Sequence, residues 1–265
     1  MKNIHQSNLE ILAKMRPLDD DFMRELFRNN LPLAQFVLRI IIGKNDLVLT
    51  AQETQYDMKR LLGARSLCLD VFGTDSTGKR YDLEVQRTDK GAVPQRARYH
   101  SSAMDVELLN TNEEFENLPI TYVIFITEND YFGENKPIYL IDRMNTTTGK
   151  PFDDGEHIIY VNGAYNNTED NSDIAKLMHD FRCCNANDMH FEIMAKTTRY
   201  YKENPKGVSF MCKLMEDIVN ETKIENSIEI AKNLLKLGSL PIEDIAKCTG
   251  LSIEEIKKLA EQLKT

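Results

Sequence analysis

No run of apolar residues in this 265-residue chain approaches the length of a membrane span; the strongest early one, Phe36 to Ile42, is short and broken by Arg39. The first residues, Met1-Lys-Asn-Ile-His-Gln-Ser7, lack the apolar core of a secretory signal, so a cytoplasmic chain is expected. Cysteine is scarce: Cys68, Cys183, Cys184, Cys212 and Cys248 form no C-x-x-C pair and no Cys/His cluster at zinc spacing. An odd count with two adjacent members fits reduced thiols and speaks against both disulfides and zinc. Basic charge is not in excess, with 33 Lys and Arg against 42 Asp and Glu and a net charge of −9. This argues against coating nucleic acid through a general basic surface, but leaves room for a local basic groove. Neither G-x-x-x-x-G-K-[ST] nor G-x-G-x-x-G occurs, so no nucleotide cofactor is expected.

What is present is the composition of a packed domain, 42% hydrophobic and 28% charged. The length suits one large domain with a small appendage. Apolar residues at helical spacing, with acids at Asp19–Asp21, Pro32 opening a second helix and Gly43 closing it, predict two helices between Asp19 and Ile42. A short β-like piece follows at Leu47–Thr50. Leu67–Thr74 and Arg80–Gln86 read as strands joined by the turn Asp75-Ser-Thr-Gly-Lys79. A helix is predicted over 93–109, and the apolar run 120–126 reads as a strand covered on both faces. Further strands at 137–142 and 157–161 flank a loop at 149–155. Helices follow at 173–182 and 190–201, then a break at Pro205-Lys-Gly207.

The hairpin carries the chemistry. Alternation sets Leu69, Val71, Leu83 and Val85 on one face and Asp70, Glu84 and Gln86 on the other. With the loop centred on Thr77, Asp70 falls opposite Glu84, β-carbons about 5 Å apart. Two facing carboxylates require either a raised pKa or a cation between them. The covered strand at 120–126 makes the polar face a candidate cleft. Arg87, Lys90, Arg96 and Arg98 make the following segment locally basic. Magnesium binds through one or two carboxylates and phosphate oxygens, so this layout suits phosphodiester cleavage.

The stretches Leu69-Asp70, Tyr81-Asp-Leu-Glu84-Val-Gln86 and Arg96-Ala-Arg-Tyr99 resemble the PD-(D/E)XK nuclease superfamily, and within it the recombination-promoting nuclease/transposase family. Phe22–Phe27, Glu53–Tyr56 with Ala64–Ser66, Tyr122–Thr127 and His157–Gly163 extend the resemblance over roughly residues 15–215. It implies an α/β fold, with a mixed central sheet flanked by helices and a helical C-terminal tail from about 216. It also implies a metal-dependent DNA endonuclease with DNA as partner. Asp70, Glu84 and the Val85 carbonyl would bind one or two Mg2+ ions, for which Mn2+ could substitute. Gln86 takes the place of the superfamily's lysine and, being neutral, can only orient water or a phosphate oxygen. Arg96 or Arg98 would hold phosphates. An upstream acid, Glu25 or Glu53, would complete the site. The alternative is a nuclease-fold module, weak or inactive in catalysis, that binds DNA or protein.

Residues 216–265 carry ten acids against seven lysines. Ile228–Leu237, Pro241–Cys248 and a third helix opened by the capping box Ser252-x-x-Glu255 form a unit like a helix-turn-helix. Its charge balance favours docking through the stripe Ile228, Ala231, Leu234 and Leu235, or homo-oligomer formation, over DNA reading. Lys196, Arg199, Lys202, Lys206 and Lys213 read as a solvated face. His100, His157, His179 and His190 are too scattered for a triad, and the Cys183-Cys184 pair reads as buried thiols.

Overall fold

The computed structural model describes residues 4–57, 68–238 and 240–263. Ala64–Ser66 and the side chain of Leu69 lie outside the described residues. The chain forms α1 (Ile4–Lys14), α2 (Asp20–Phe27), α3 (Leu31–Ile42), β1 (Leu49–Asp57), β2 (Cys68–Asp75), β3 (Arg80–Gln86), α4 (Pro94–Leu108) and β4 (Thr121–Thr127). There follow β5 (Ile138–Ile141), β6 (Met144–Asn145), β7 (Lys150–Pro151), β8 (Glu156–Asn162), α5 (Asp173–Arg182), α6 (Glu192–Glu203), α7 (Pro205–Leu237), α8 (Ile242–Thr249) and α9 (Ile253–Gln262). Two compact units result: residues 13–202, and residues 1–12 with 203–265. The second of these units begins its long segment at Glu203.

The larger unit is built on a six-stranded mixed sheet in the order β1-β2-β3-β4-β8-β5. β1, β2 and β3 are antiparallel neighbours, β3-β4-β8 run parallel, and β5 returns antiparallel to β8. β4 is buried along its whole length, as expected of a strand with parallel partners on both sides. The turn between β2 and β3 is held by Asp75. Its Oδ1 accepts from the amides of Thr77 (2.8 Å) and Lys79 (3.0 Å), and its Oδ2 from the Tyr81 hydroxyl (2.8 Å). Gly78 takes a φ of 88°, which favours glycine. α3 begins with the Asn30 side chain accepting from the Leu33 amide and ends at left-handed Gly43.

Cross-strand pairing fixes which residues share a face. Phe72 pairs with Asp82, Asp82 with Val123, and Glu84 with Phe125. α4 covers that face, its Ala97 and Met104 packing with Phe72, Val123 and Phe125. Gln52, on the opposite face, donates to the Phe27 carbonyl and ties α2 there. Both faces of β3 are therefore buried. The expected open polar cleft is instead a polar layer beneath α4, with Asp82 and Glu84 inside it.

Three sequence expectations change. β1 runs on to Asp57, because pairing with β2 recruits the polar stretch Gln52–Gln55 that carries no strand signal of its own. The loop at 149–155 contains β7, paired with β6. The break expected at Pro205-Lys-Gly207 is confined to Asn204: α6 ends at Glu203, and Pro205 is already the first residue of a single 33-residue helix, α7, capped by Asn204. In the smaller unit Ala231, Leu234 and Leu235 of α7 pack against Ile245 of α8 and Ile256 of α9. The stripe expected to dock elsewhere thus forms this unit's own core. α9 opens with the expected Ser252–Glu255 capping box.

Candidate active site

The ladder pairs Val71 with Leu83 and Phe72 with Asp82, the register expected from a loop centred on Thr77, and Asp70 and Glu84 are the next residues on the two strands. The two acids grip each other's strands. The Asp70 amide donates to Glu84 Oε1 (3.0 Å), and the Val85 amide donates to Asp70 Oδ2 (3.4 Å). Glu84 is buried, whereas the Asp70 side chain keeps 15% of its surface exposed.

Each acid has an arginine. Arg24 of α2 lies 3.6 Å from Asp70 Oδ1, and Arg96 of α4 lies 3.4 Å from Glu84 Oε2. Behind Glu84 sits a second pair: His100 Nδ1 is 2.8 Å from Asp82 Oδ2 and 3.9 Å from Glu84 Oε1. Arg96 Nε donates to His100 Nε2 (3.2 Å). Since an arginine can only donate, Nε2 is the acceptor, and Nδ1–H points to Asp82. Asp82 Oδ1 takes no hydrogen bond from any N–H or hydroxyl among the described residues.

Burial governs the ionisation. It pushes the Asp82 and Glu84 carboxyls well above the usual range, with the Asp82 and Asp70 charges adding to the effect on Glu84. Burial raises Asp70 too, against the pull of Arg24, the Val85 amide and Arg96. It lowers His100, consistent with a neutral imidazole. Three carboxyls pushed upward, one with an orphaned buried oxygen, form a layer short of positive charge. Asp82, Glu84 and His100 bring ligand-type atoms within 4.8 Å of one another; with both imidazole nitrogens engaged, the carboxylate oxygens are the donors that fit a divalent cation.

The structure sorts the sequence candidates. Gln86 Nε2 donates to Glu84 Oε2 (3.2 Å), so this amide is turned onto the acid. Arg96 reaches the site, whereas Arg98 is exposed, two residues further along α4. Neither proposed upstream acid is brought to Asp70. Glu25 is buried against Arg28 (2.6 Å), and Glu53 is exposed opposite Phe72. The acid of α2 that feels Asp70 is Asp20, whose carboxyl is raised by burial and then by the Asp70 charge. Sequence reasoning missed Asp20, Arg24, Asp82 and the role of His100. Two signals were available: Asp82 shares the two-residue strand period of Glu84 and Gln86, and His100 lies one helical turn after Arg96.

Elsewhere, Lys202 does not join a solvated stripe: its ammonium donates to the carbonyls of Ala13, Met15 and Cys184. Burial, with Asp180 and Asp188, pushes the Cys183 thiol up to about 11, which fits the reading against a nucleophile.

A mixed sheet with acids on adjacent antiparallel strands and a helix over them defines a nuclease core of the PD-(D/E)XK type. A family model described as PD-(D/E)XK nuclease family transposase matches residues 29–179, more than half of the chain, and the protein belongs to this family. The match contains Asp70, Asp82, Glu84, Gln86, Arg96 and His100, but not Asp20 or Arg24. Comparison with curated proteins and with solved structures gave no match. Among the described residues no helix is long and apolar enough to cross a membrane.

Proposed function

We propose that this protein is a metal-dependent endodeoxyribonuclease in which Asp70, Glu84 and the Val85 carbonyl hold Mg2+, or Mn2+ in its place. The observation that carries this reading is the interlocked pair Asp70–Glu84, two carboxyls with raised pKa values sharing one end of the sheet face. The bound cation would lower the pKa of a water and stabilise charge on the phosphate. The chain's own residues do the rest. Gln86 and Arg96 fix the Glu84 carboxylate, Asp82 and His100 support it from behind, and Arg24 sets the Asp70 carboxylate. Arg96, with 40% of its side chain exposed, can also turn toward a phosphate.

The test is nicking of supercoiled DNA with Mg2+ and with EDTA. Wild type should nick only with Mg2+, and Asp70→Ala and Glu84→Ala should lose nicking while keeping their fold. Unchanged nicking by these variants would overturn the site.

A second reading has its own observation. Arg24 and Arg96 already place positive charge on the two acids, and Gln86 replaces a working lysine. The protein would then be a binding module of nuclease fold. No nicking by wild type, and no rise in melting temperature with Mg2+ or Mn2+, would favour it.

A further inference from the structure

At the C-terminal end of α5 lies a second cluster of metal-ligating side chains, with softer donors than the acidic layer beneath α4. His179 and Cys183 stand four residues apart and so share one helix face. Cys183 Sγ lies 3.5 Å from His179 Nδ1, and His179 Nδ1 lies 3.2 Å from Asp180 Oδ1. His190, in the connection to α6, sets its ring 4.5 Å from that of His179, centroid to centroid. The chain is drawn back here because Asp180, fully buried, accepts from the amides of His190 (2.7 Å) and Phe191 (2.8 Å). Both imidazoles border a cavity of about 330 Å³, which gives an entry path from solvent.

The spacings fit one geometry. A tetrahedral zinc with Zn–N of ~2.0 Å and Zn–S of ~2.3 Å has N···S edges of ~3.5 Å and N···O edges of ~3.4 Å. The observed separations, 3.5 and 3.2 Å, are close to those edges before any side chain moves. We propose that Cys183, His179 and Asp180, with His190 turning in as the fourth ligand, form a site for a zinc-class transition-metal ion that staples the 183–191 connection between α5 and α6. Thiolate and imidazole select such an ion over magnesium, so this site and the Asp70–Glu84 layer take different metals. Binding converts the thiol to a thiolate, its proton passing to solvent. Sequence spacing conceals the site because His190 is brought in by the Asp180 cap, not by a short metal-binding repeat.

The test uses the full-length protein in three arms. In the first, Co2+ is added under reducing conditions and displaced by Zn2+. Wild type, Asp70→Ala and Cys184→Ser should each show the thiolate-to-cobalt absorption band, and Cys183→Ser should lack it. In the second, Zn2+ affinity is measured by competition with a chromophoric chelator. Cys183→Ser and His179→Gln should bind at least about tenfold more weakly, the lower end of what even supporting residues of metal sites cost. The third needs no variant: Zn2+ should slow alkylation of Cys183 by iodoacetamide, read by peptide mass spectrometry, and leave Cys248 unaffected. A cobalt band that survives Cys183→Ser, unchanged affinity in both variants, or no protection of Cys183 would each overturn the proposal. Because Asp70→Ala is expected to keep zinc, the outcome is independent of the nuclease reading.

Discussion

The imidazole Nδ1 of His100 lies 2.8 Å from the Asp82 carboxylate, and neither side chain is exposed to solvent. The pair sits directly behind Glu84. Deleting His100 removes the donor to Asp82 and opens a hole under α4. His100→Ala should therefore cost about 2–4 kcal/mol, the sum of a buried unpaired carboxyl and a cavity. Urea denaturation would measure it, and a loss below ~1 kcal/mol would show that Asp82 does not depend on this donor.

Asp82 itself gives a pH prediction. Burial raises its pKa, so the folded state holds a proton that the unfolded state has lost. That makes its contribution to stability fall as pH rises from the ordinary carboxylate range toward the folded value. Asp82→Asn keeps an acceptor for His100 and has no proton to lose. In EDTA the variant should match wild type near pH 4 and melt at least about 2–4 °C higher at pH 8, equivalent to ~1 kcal/mol or more. A deficit that grows with pH would contradict the assignment.

Under the proposed function, magnesium would supply the missing charge reversibly. Asp70 and Glu84 must ionise to bind it, and both pKa values are raised. The stabilisation by Mg2+ should therefore be larger at pH 8 than at pH 6. At ten times Kd it should amount to ~1.4 kcal/mol, a shift of roughly 3–6 °C. Thermal melts of wild type, Asp70→Ala and Glu84→Ala with and without the ion test this. Equal shifts in all three would place the ion elsewhere.

Gly91 approaches Gln86 so closely that a Cβ there would overlap the Gln86 Oε1 atom. Since Gln86 Nε2 holds Glu84, Gly91→Ala should turn the amide away and mimic Gln86→Ala. Both variants should fold and should reduce Mg2+-dependent nicking to a similar, partial extent. Full activity in Gly91→Ala alongside reduced activity in Gln86→Ala would show that the amide finds another route to the acid.

Arg96 faces a buried carboxylate from a half-open position. Arg96→Ala should cost about 1–2 kcal/mol without metal, less than the ~3–5 kcal/mol of a fully buried pair because water reaches the guanidinium. Added Mg2+ should recover much of the loss. Denaturation in EDTA and in Mg2+ would show it, and a cost insensitive to metal would separate Arg96 from the acids.

Local signals determined much of this protein. The loop centred on Thr77 sets the register from Thr74–Arg80 to Val71–Leu83, which brings Asp70 and Glu84 next in line, because strand pairing around a short turn leaves little freedom. The unbroken apolar run Tyr122–Ile126 marks a strand with both faces covered, and Ser252 with Glu255 marks a helix start. Long-range packing decided the rest. The polar residues Gln52–Gln55 become strand only when β2 lies beside them, and Pro205, a breaker by composition, opens a helix because its missing N–H is not needed at the first turn. The choice of Asp20 and Arg24 over Glu25 and Glu53 depends on where α2 lies along β2, since neighbouring residues of one helix point in different directions. His100 is a scattered histidine in the chain and a buried partner of Asp82 in the fold. The two stand 18 positions apart in sequence and are brought together only by the crossover through α4 onto the face of β3, and burial there gives both groups their chemistry.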